Sequence, residues 1–160
     1  MTESSVRRFC TFFLGDECYG VDILTVREIN RHVVLTPARG GASCVRGFMN
    51  LRGQIVTVID ASIRLGGKPC EIGPKTRLVI LKTNAELLTV GTGELKTGDE
   101  WVGLLVDRIS DVVSAEEDQI DPPPPDRSHG DHLIQAIVQL KDDMIRVVDP
   151  AAMLRLSEAD

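Results

Sequence analysis

One stretch of this chain occurs twice, and no other property of the sequence narrows its possible folds as far. Residues 45–60 (Val-Arg-Gly-Phe-Met-Asn-Leu-Arg-Gly-Gln-Ile-Val-Thr-Val-Ile-Asp) align without a gap on 134–149 (Ile-Gln-Ala-Ile-Val-Gln-Leu-Lys-Asp-Asp-Met-Ile-Arg-Val-Val-Asp), at a constant offset of 89. Apolar meets apolar at 45/134, 48/137, 49/138, 51/140, 55/144, 56/145, 58/147 and 59/148. Arg52 meets Lys141 at a turn, and Asp60 meets Asp149 where each repeat passes into a helix. Upstream, Gly20-x5-Val26-x-Glu28-Ile29 matches Gly103-x5-Ile109-x-Asp111-Val112 at an offset of 83, a difference that needs only loops of unequal length. Units this short hold no large core alone. Two small barrels or half-barrels packed side by side are therefore expected, with an apolar, partly open seam suited to a partner helix or strand.

Local patterns fill in the elements. Residues 8–14 and 18–21 read as strands about a Gly15-Asp16-Glu17 turn. Asp22 then reads as the cap of a short helix carrying Ile23, Val26 and Ile29 at three-residue spacing, stopped by Asn30. A brief strand is expected at 33–35. Strands at 44–51 and 54–59 flank an Arg52-Gly53 turn, and Asp60 caps a helix over 61–65 ended by Gly66-Gly67. Further strands fall at 76–82, 101–106, 109–114, 133–140 and 144–148, and Asp149-Pro150 opens a terminal helix. Residues 83–100 read as a long exposed hairpin excursion, and Pro122 to Pro125 as an extended crossing.

Charge is unevenly distributed. Residues 1–83 carry 12 Lys/Arg against 7 Asp/Glu, whereas 84–131 carry 3 against 12, within a net charge of -6. An acidic total argues against nucleic acid, and a basic first half beside an acidic second half suggests protein partners of mixed sign. No apolar run approaches the roughly 20 residues of a membrane span. The polar segment Met1 to Arg8 lacks an export signal's apolar core, so none is expected. Cys10, Cys18, Cys44 and Cys70 form no Cys-x-x-Cys pair; the first three sit in apolar strand patterns, and reduced thiols are expected, which points to the cytoplasm.

No pattern carries catalysis. Gly91-Thr-Gly93-Glu-Leu-Lys96-Thr97-Gly98 fails both nucleotide-loop spacings and reads as a flexible acidic loop. His129-Gly-Asp-His132 has metal-like spacing but no cysteine near it, and reads as a solvated loop. No serine, cysteine or aspartate stands in an activated-nucleophile pattern. No enzyme activity, cofactor or metal is expected.

Four stretches together resemble the CheW-like family of chemotaxis coupling proteins: Gly20 to Ile29, Val45 to Gly53 with Ile55 to Asp60, Gly103 to Val113, and Met144 to Leu154. The resemblance runs from about residue 8 to 155. It implies a mainly β fold: two five-stranded SH3-like β-barrel lobes around a shared hydrophobic core, with short helices including a C-terminal one. It implies one domain at 7–156 with lobes near 7–67 and 75–156, some strand exchange between them being allowed. It further implies a cytoplasmic adaptor, recruited to membrane-associated receptor arrays, that links the cytoplasmic tip of a chemoreceptor to the regulatory domain of the histidine kinase CheA.

Carried over by motif, the receptor contacts would be Val26, Glu28, Gly47, Arg52 and Val112. Val26 and Val112 suit either groove walls or core, whereas Glu28 and Arg52 are charges of opposite sign able to set register. The resemblance assigns no residues to the kinase. The competing expectations are a small-molecule sensor using the groove, or an adaptor of a pilus or other alternative chemosensory system.

Overall fold

The computed structural model describes residues 6–89, 95–123 and 131–156. Gly91 to Gly93, Pro124, Pro125 and His129 lie outside them. The strands are β1 (Val6–Leu14), β2 (Glu17–Asp22), β3 (Val26–Asn30), β4 (Thr36–Pro37), β5 (Val45–Leu51), β6 (Gln54–Asp60), β7 (Arg77–Leu81), β8 (Val102–Val106), β9 (Arg108–Glu116), β10 (Ile120–Asp121), β11 (Ile134–Gln139) and β12 (Met144–Val148). Among the described residues, three short α-helices accompany them: α1 (Ala61–Arg64), α2 (Asn84–Thr89) and α3 (Pro150–Leu154). One sheet runs β10-β11-β12-β2-β1-β9 and the other β4-β5-β6-β8-β7-β3, so each has five longer strands and a two-residue sixth.

The repeat holds down to individual residue pairs. In β5/β6, Val45 faces Ile59, a bulge follows, and Gly47 faces Val58; in β11/β12, Ile134 faces Val148, a bulge follows, and Ala136 faces Val147. Each pair lies 89 positions from its counterpart. The second offset meets the first at the parallel seams, where Thr57 and Val58 face Val102 and Gly103, and Arg146 and Val147 face Tyr19 and Gly20. The caps repeat as well. Asp60 Oδ1 accepts from the Ser62 and Ile63 amides at 3.0 and 3.3 Å, and Asp149 Oδ1 from those of Ala151 and Ala152 at 3.1 and 3.3 Å.

The sheets are not the contiguous halves of the sequence. Each repeat begins with a hairpin (β1–β2 or β7–β8) and continues with four strands and a helix. Hairpin β1–β2 pairs with β9 and β12 of the second repeat, and hairpin β7–β8 with β3 and β6 of the first. Strand exchange across the 67/75 boundary is thus reciprocal, and each sheet needs both repeats.

This exchange explains why the hairpin strands are apolar on both faces. Along β8, Val102, Leu104 and Val106 enter a core shared between the sheets, while Leu105 enters the core of its own barrel. Along β7, Val79 and Leu81 go one way and Leu78 and Ile80 the other. Cys10, Phe12, Leu14 and Val21 of the first hairpin meet them in the shared core, together with Ile59, Val148 and Met153. Buried side chains of this size contribute about 1.5–3 kcal/mol each, so the shared core is the main cohesion between barrels. The repeated glycine has a packing cause. A Cβ on Gly103 would lie 2.6–3.0 Å from the Leu78 side chain, and one on Gly20 would lie 3.1 Å from Ile145 Cγ2.

Three local expectations need correction. Only Ile23–Thr25 is helical, as one 3-10 turn capped by Asp22, and Val26–Asn30 is strand β3, paired with β7. Residues 33–35 form no strand; the pairing falls at Thr36–Pro37 instead. The excursion at 83–100 contains helix α2. Its start is fixed by Thr83 and Glu86, whose side chains each accept from the other's amide at 3.3 and 3.0 Å, and Leu87 anchors it in the interior.

Candidate functional site

The turn between β5 and β6 is built for tightness. Arg52 (φ +50°) and Gly53 (φ +88°) both take left-handed backbone, as a two-residue hairpin loop of the kind matched to strand twist requires. Asn50 Oδ1 accepts from the Gly53 amide at 2.9 Å and closes the loop. The Arg52 side chain is thereby held outward, two-thirds exposed, and its guanidinium pairs with the Glu28 carboxylate on β3. In the sheet, β3 and β5 stand four places apart. The ion pair therefore joins strands that meet only because the sheet curls into a barrel.

Of the five residues expected at the site, two are brought together directly and three sit differently. Val26 packs partly against the shared core. Val112 lies on β9 at the edge of the other sheet and is 55% exposed; its counterpart by the repeat is Ile29, 42% exposed on β3. Gly47 is buried at the β5 bulge, where its backbone passes against β4. With φ at +156°, a Cβ there would collide with the Thr36 carbonyl oxygen and lie 3.2 Å from Pro37 Cα. Substituting Gly47 by alanine is expected to lower the unfolding free energy by about 2 kcal/mol or more, measured in urea, before any surface is changed. An unchanged midpoint would place its role at the surface.

One residue that the sequence did not single out stands beside Glu28 on β3. Arg27 is the extra residue of the β3 bulge, between Val26 and Glu28. Its guanidinium lies 3.9 Å from the Trp101 ring centroid and pairs with Glu86 of α2, while its Nε is buried without a partner. Helix α2 is thus tied to the strand that carries Glu28.

Chemistry finds little to work with elsewhere. Burial pushes the Cys10 and Cys18 thiols up, and Cys70 up to about 12, with the Asp107 and Asp60 carboxylates adding to the effect there. Tyr19 is pushed up to about 12 by burial and by its 2.9 Å hydrogen bond to Glu17. These shifts disfavour the thiolate and phenolate forms that a nucleophile or base would need. Among the described residues no group of three His, Cys, Asp or Glu side chains is placed to hold a metal ion. A cleft of about 500 Å³ lies between the β1–β2 turn and the loop after α1, lined by Leu14, Asp16, Glu17, Tyr19, Leu65 and Lys68 among others. No helix among the described residues is long and apolar enough to cross a membrane.

Comparison with known proteins agrees with this architecture. A family model described as the CheW-like domain matches residues 8–158. The chemotaxis protein CheW of Klebsiella aerogenes is 32% identical over 122 residues, covering 76% of this chain and 65% of that protein, so the match spans just under two thirds of the relative's length. CheW of Rhizobium meliloti is 34% identical over 118 residues, covering 74% and 67%. The crystal structure of the scaffolding protein TtCheW from Thermoanaerobacter tengcongensis superposes with a TM-score of 0.80 at 26% identity, covering 96% of each chain.

Proposed function

The chain belongs to the CheW-like domain family, and on that footing we propose that it is a non-enzymatic chemotaxis adaptor coupling chemoreceptors to the histidine kinase CheA. The observation that carries the reading is the Arg52–Glu28 pair on the barrel-closing turn. Opposite charges are held side by side, one on a rigid hairpin turn and the other on β3, where they set the register of an incoming helix rather than stabilise the fold. The second repeat places Lys141-Asp142 at the matching turn, so the two barrels share a scaffold but not a surface. The cytoplasmic tip of a receptor is the proposed occupant of the first barrel's face, with Glu28 and Arg52 as charged contacts and Val26, Gly47 and Val112 shaping or flanking it. The regulatory domain of CheA is the second partner. The functional unit is the single domain of residues 7–156, working in the cytoplasm and drawn to membrane-associated arrays by its partners.

The test is direct binding of the purified chain to a receptor-tip fragment and to the kinase regulatory domain; failure to bind either would sink the proposal. Within it, Arg52→Ala is expected to weaken receptor-tip binding about tenfold, a loss of about 1.4 kcal/mol. The unfolding free energy should fall by less than about 1 kcal/mol, because the Arg52 end of the pair is two-thirds exposed. A large loss of stability with unchanged affinity would make the pair structural.

A further inference from the structure

We infer that two molecules of this chain can complete each other by exchanging whole halves, giving a dimer in which residues 6–70 of each molecule pack with 76–156 of the other. The reciprocal hairpin exchange supplies the reason. Left to itself, either half would expose the strand edges that now pair across β1/β9, β3/β7, β6/β8 and β12/β2. The two halves are thus obligate partners, and nothing in those pairings requires them to come from one molecule.

What ties them together is a short connector. On its first side, Cys70 is fastened to the first half: its amide donates to Asp60 Oδ2 at 2.9 Å and its carbonyl accepts from Arg46 at 2.9 Å. On its second side, Thr76 is buried at the start of β7. Between them, Glu71 to Lys75 are all exposed. They turn back through hydrogen bonds confined to 71–77: Gly73 amide to Thr76 Oγ1 at 2.8 Å, Thr76 amide to the Gly73 carbonyl at 3.1 Å, Thr76 Oγ1 to the Glu71 carbonyl at 3.2 Å, and Arg77 to the Pro74 carbonyl at 3.0 Å.

Opening that turn loses these local bonds and little else, because every contact between the halves is remade with the second molecule. A short exposed turn joining two mutually dependent halves is the arrangement from which domain-swapped dimers form. Extended, the six peptide units from Cys70 to Thr76 reach about 20 Å. The exchanged dimer carries two complete faces bearing Glu28 and Arg52 on one particle, which raises the avidity of an adaptor for clustered partners without any new contact.

Two variants with one added cysteine each read the exchange, Thr57→Cys and Val102→Cys, both in a Cys18→Ser background that keeps only the buried Cys10, Cys44 and Cys70. These positions face each other across the β6/β8 seam, at the strand spacing a disulfide spans. Each molecule then carries only one of the two thiols, so the bond forms only between molecules that have exchanged halves. The two variants are unfolded together, refolded at high and low concentration, and oxidised. The expected result is a dimer by light scattering whose fraction rises with concentration, with the 57–102 disulfide found by peptide mapping. Monomer at every concentration would overturn the inference. So would a dimer lacking that bond while Thr57→Cys/Val102→Cys within one chain forms it.

Discussion

Replacing Asp60 by alanine is expected to cost about 3–4 kcal/mol of unfolding free energy, several times the cost of the repeat-matched Asp149→Ala. Both aspartates cap a helix, and loss of a cap alone costs about 1 kcal/mol. Asp60 does more. Its side chain is fully buried, and its Oδ2 accepts from Arg46 at 2.7 Å and from the Cys70 amide at 2.9 Å. Alanine would leave the Arg46 guanidinium, about a quarter exposed, without its counter-charge, and would orphan a buried amide. At the matching place in the second repeat stands Gln135, so no such pair forms there. Urea unfolding of the two alanine variants measures the difference directly. Asp60→Asn separates the contributions: it keeps an acceptor for the cap and removes the charge, and should fall between wild type and Asp60→Ala. Equal losses at positions 60 and 149 would show that the Arg46 pair adds nothing beyond the cap.

How far the sequence reveals this fold depends on what each pattern encodes. The hairpin at 45–60 and its repeat at 134–149 were legible to within a residue at each strand end, because period-two burial, a two-residue turn and an aspartate cap are all local signals. The destination of each opening hairpin was not. Nothing in the run Leu78 to Leu81 says which repeat supplies its neighbours; only its lack of alternation hints that both faces are buried.

Strand β3 misled for a definable reason. The bulge at Arg27 inserts one residue, so Val26 and Ile29 fall three apart and imitate a helical face. Helix α2 was missed although it carries a local signal. Thr83-Asn84-Ala85-Glu86 is a capping box in plain sequence, masked by the Gly, Thr and Asp content around it. At the candidate site, Glu28 and Arg52 were each expected from the resemblance to the family. Their pairing was not, since 24 residues and a closed barrel separate them.

Arg64→Met carries the other large expected effect, about 3 kcal/mol, concentrated at the C-terminal helix. Arg64 is 7% exposed, and its guanidinium donates to the carbonyls of Met153, Ala152 and Arg155, each at 3.0 Å. They lie in the last turn of α3 and at its C-cap, where only the Ala152 carbonyl is also given the Arg155 amide, at 3.2 Å, and where the helix end favours a cation. The repeat gives the contact its meaning. An offset of 89 from Arg64 arrives at Met153 itself, so the two equivalent helix positions meet, one as a buried cation and the other as a fully buried thioether. Methionine at 64 would fill the space and spare the desolvation of a charge, yet take a charged donor from three carbonyls at the end of α3, and that deficit outweighs the gain. Since Ala152 and Met153 belong to the shared core, loosening α3 should also loosen the contact between barrels. Hydrogen exchange over 150–156 should quicken well before the centres of β5 and β6 respond. Arg64→Lys should recover only part of the loss, because one ammonium cannot span carbonyls arranged for a planar fork. Uniform quickening across both barrels would instead mean that α3 and the shared core open as one unit.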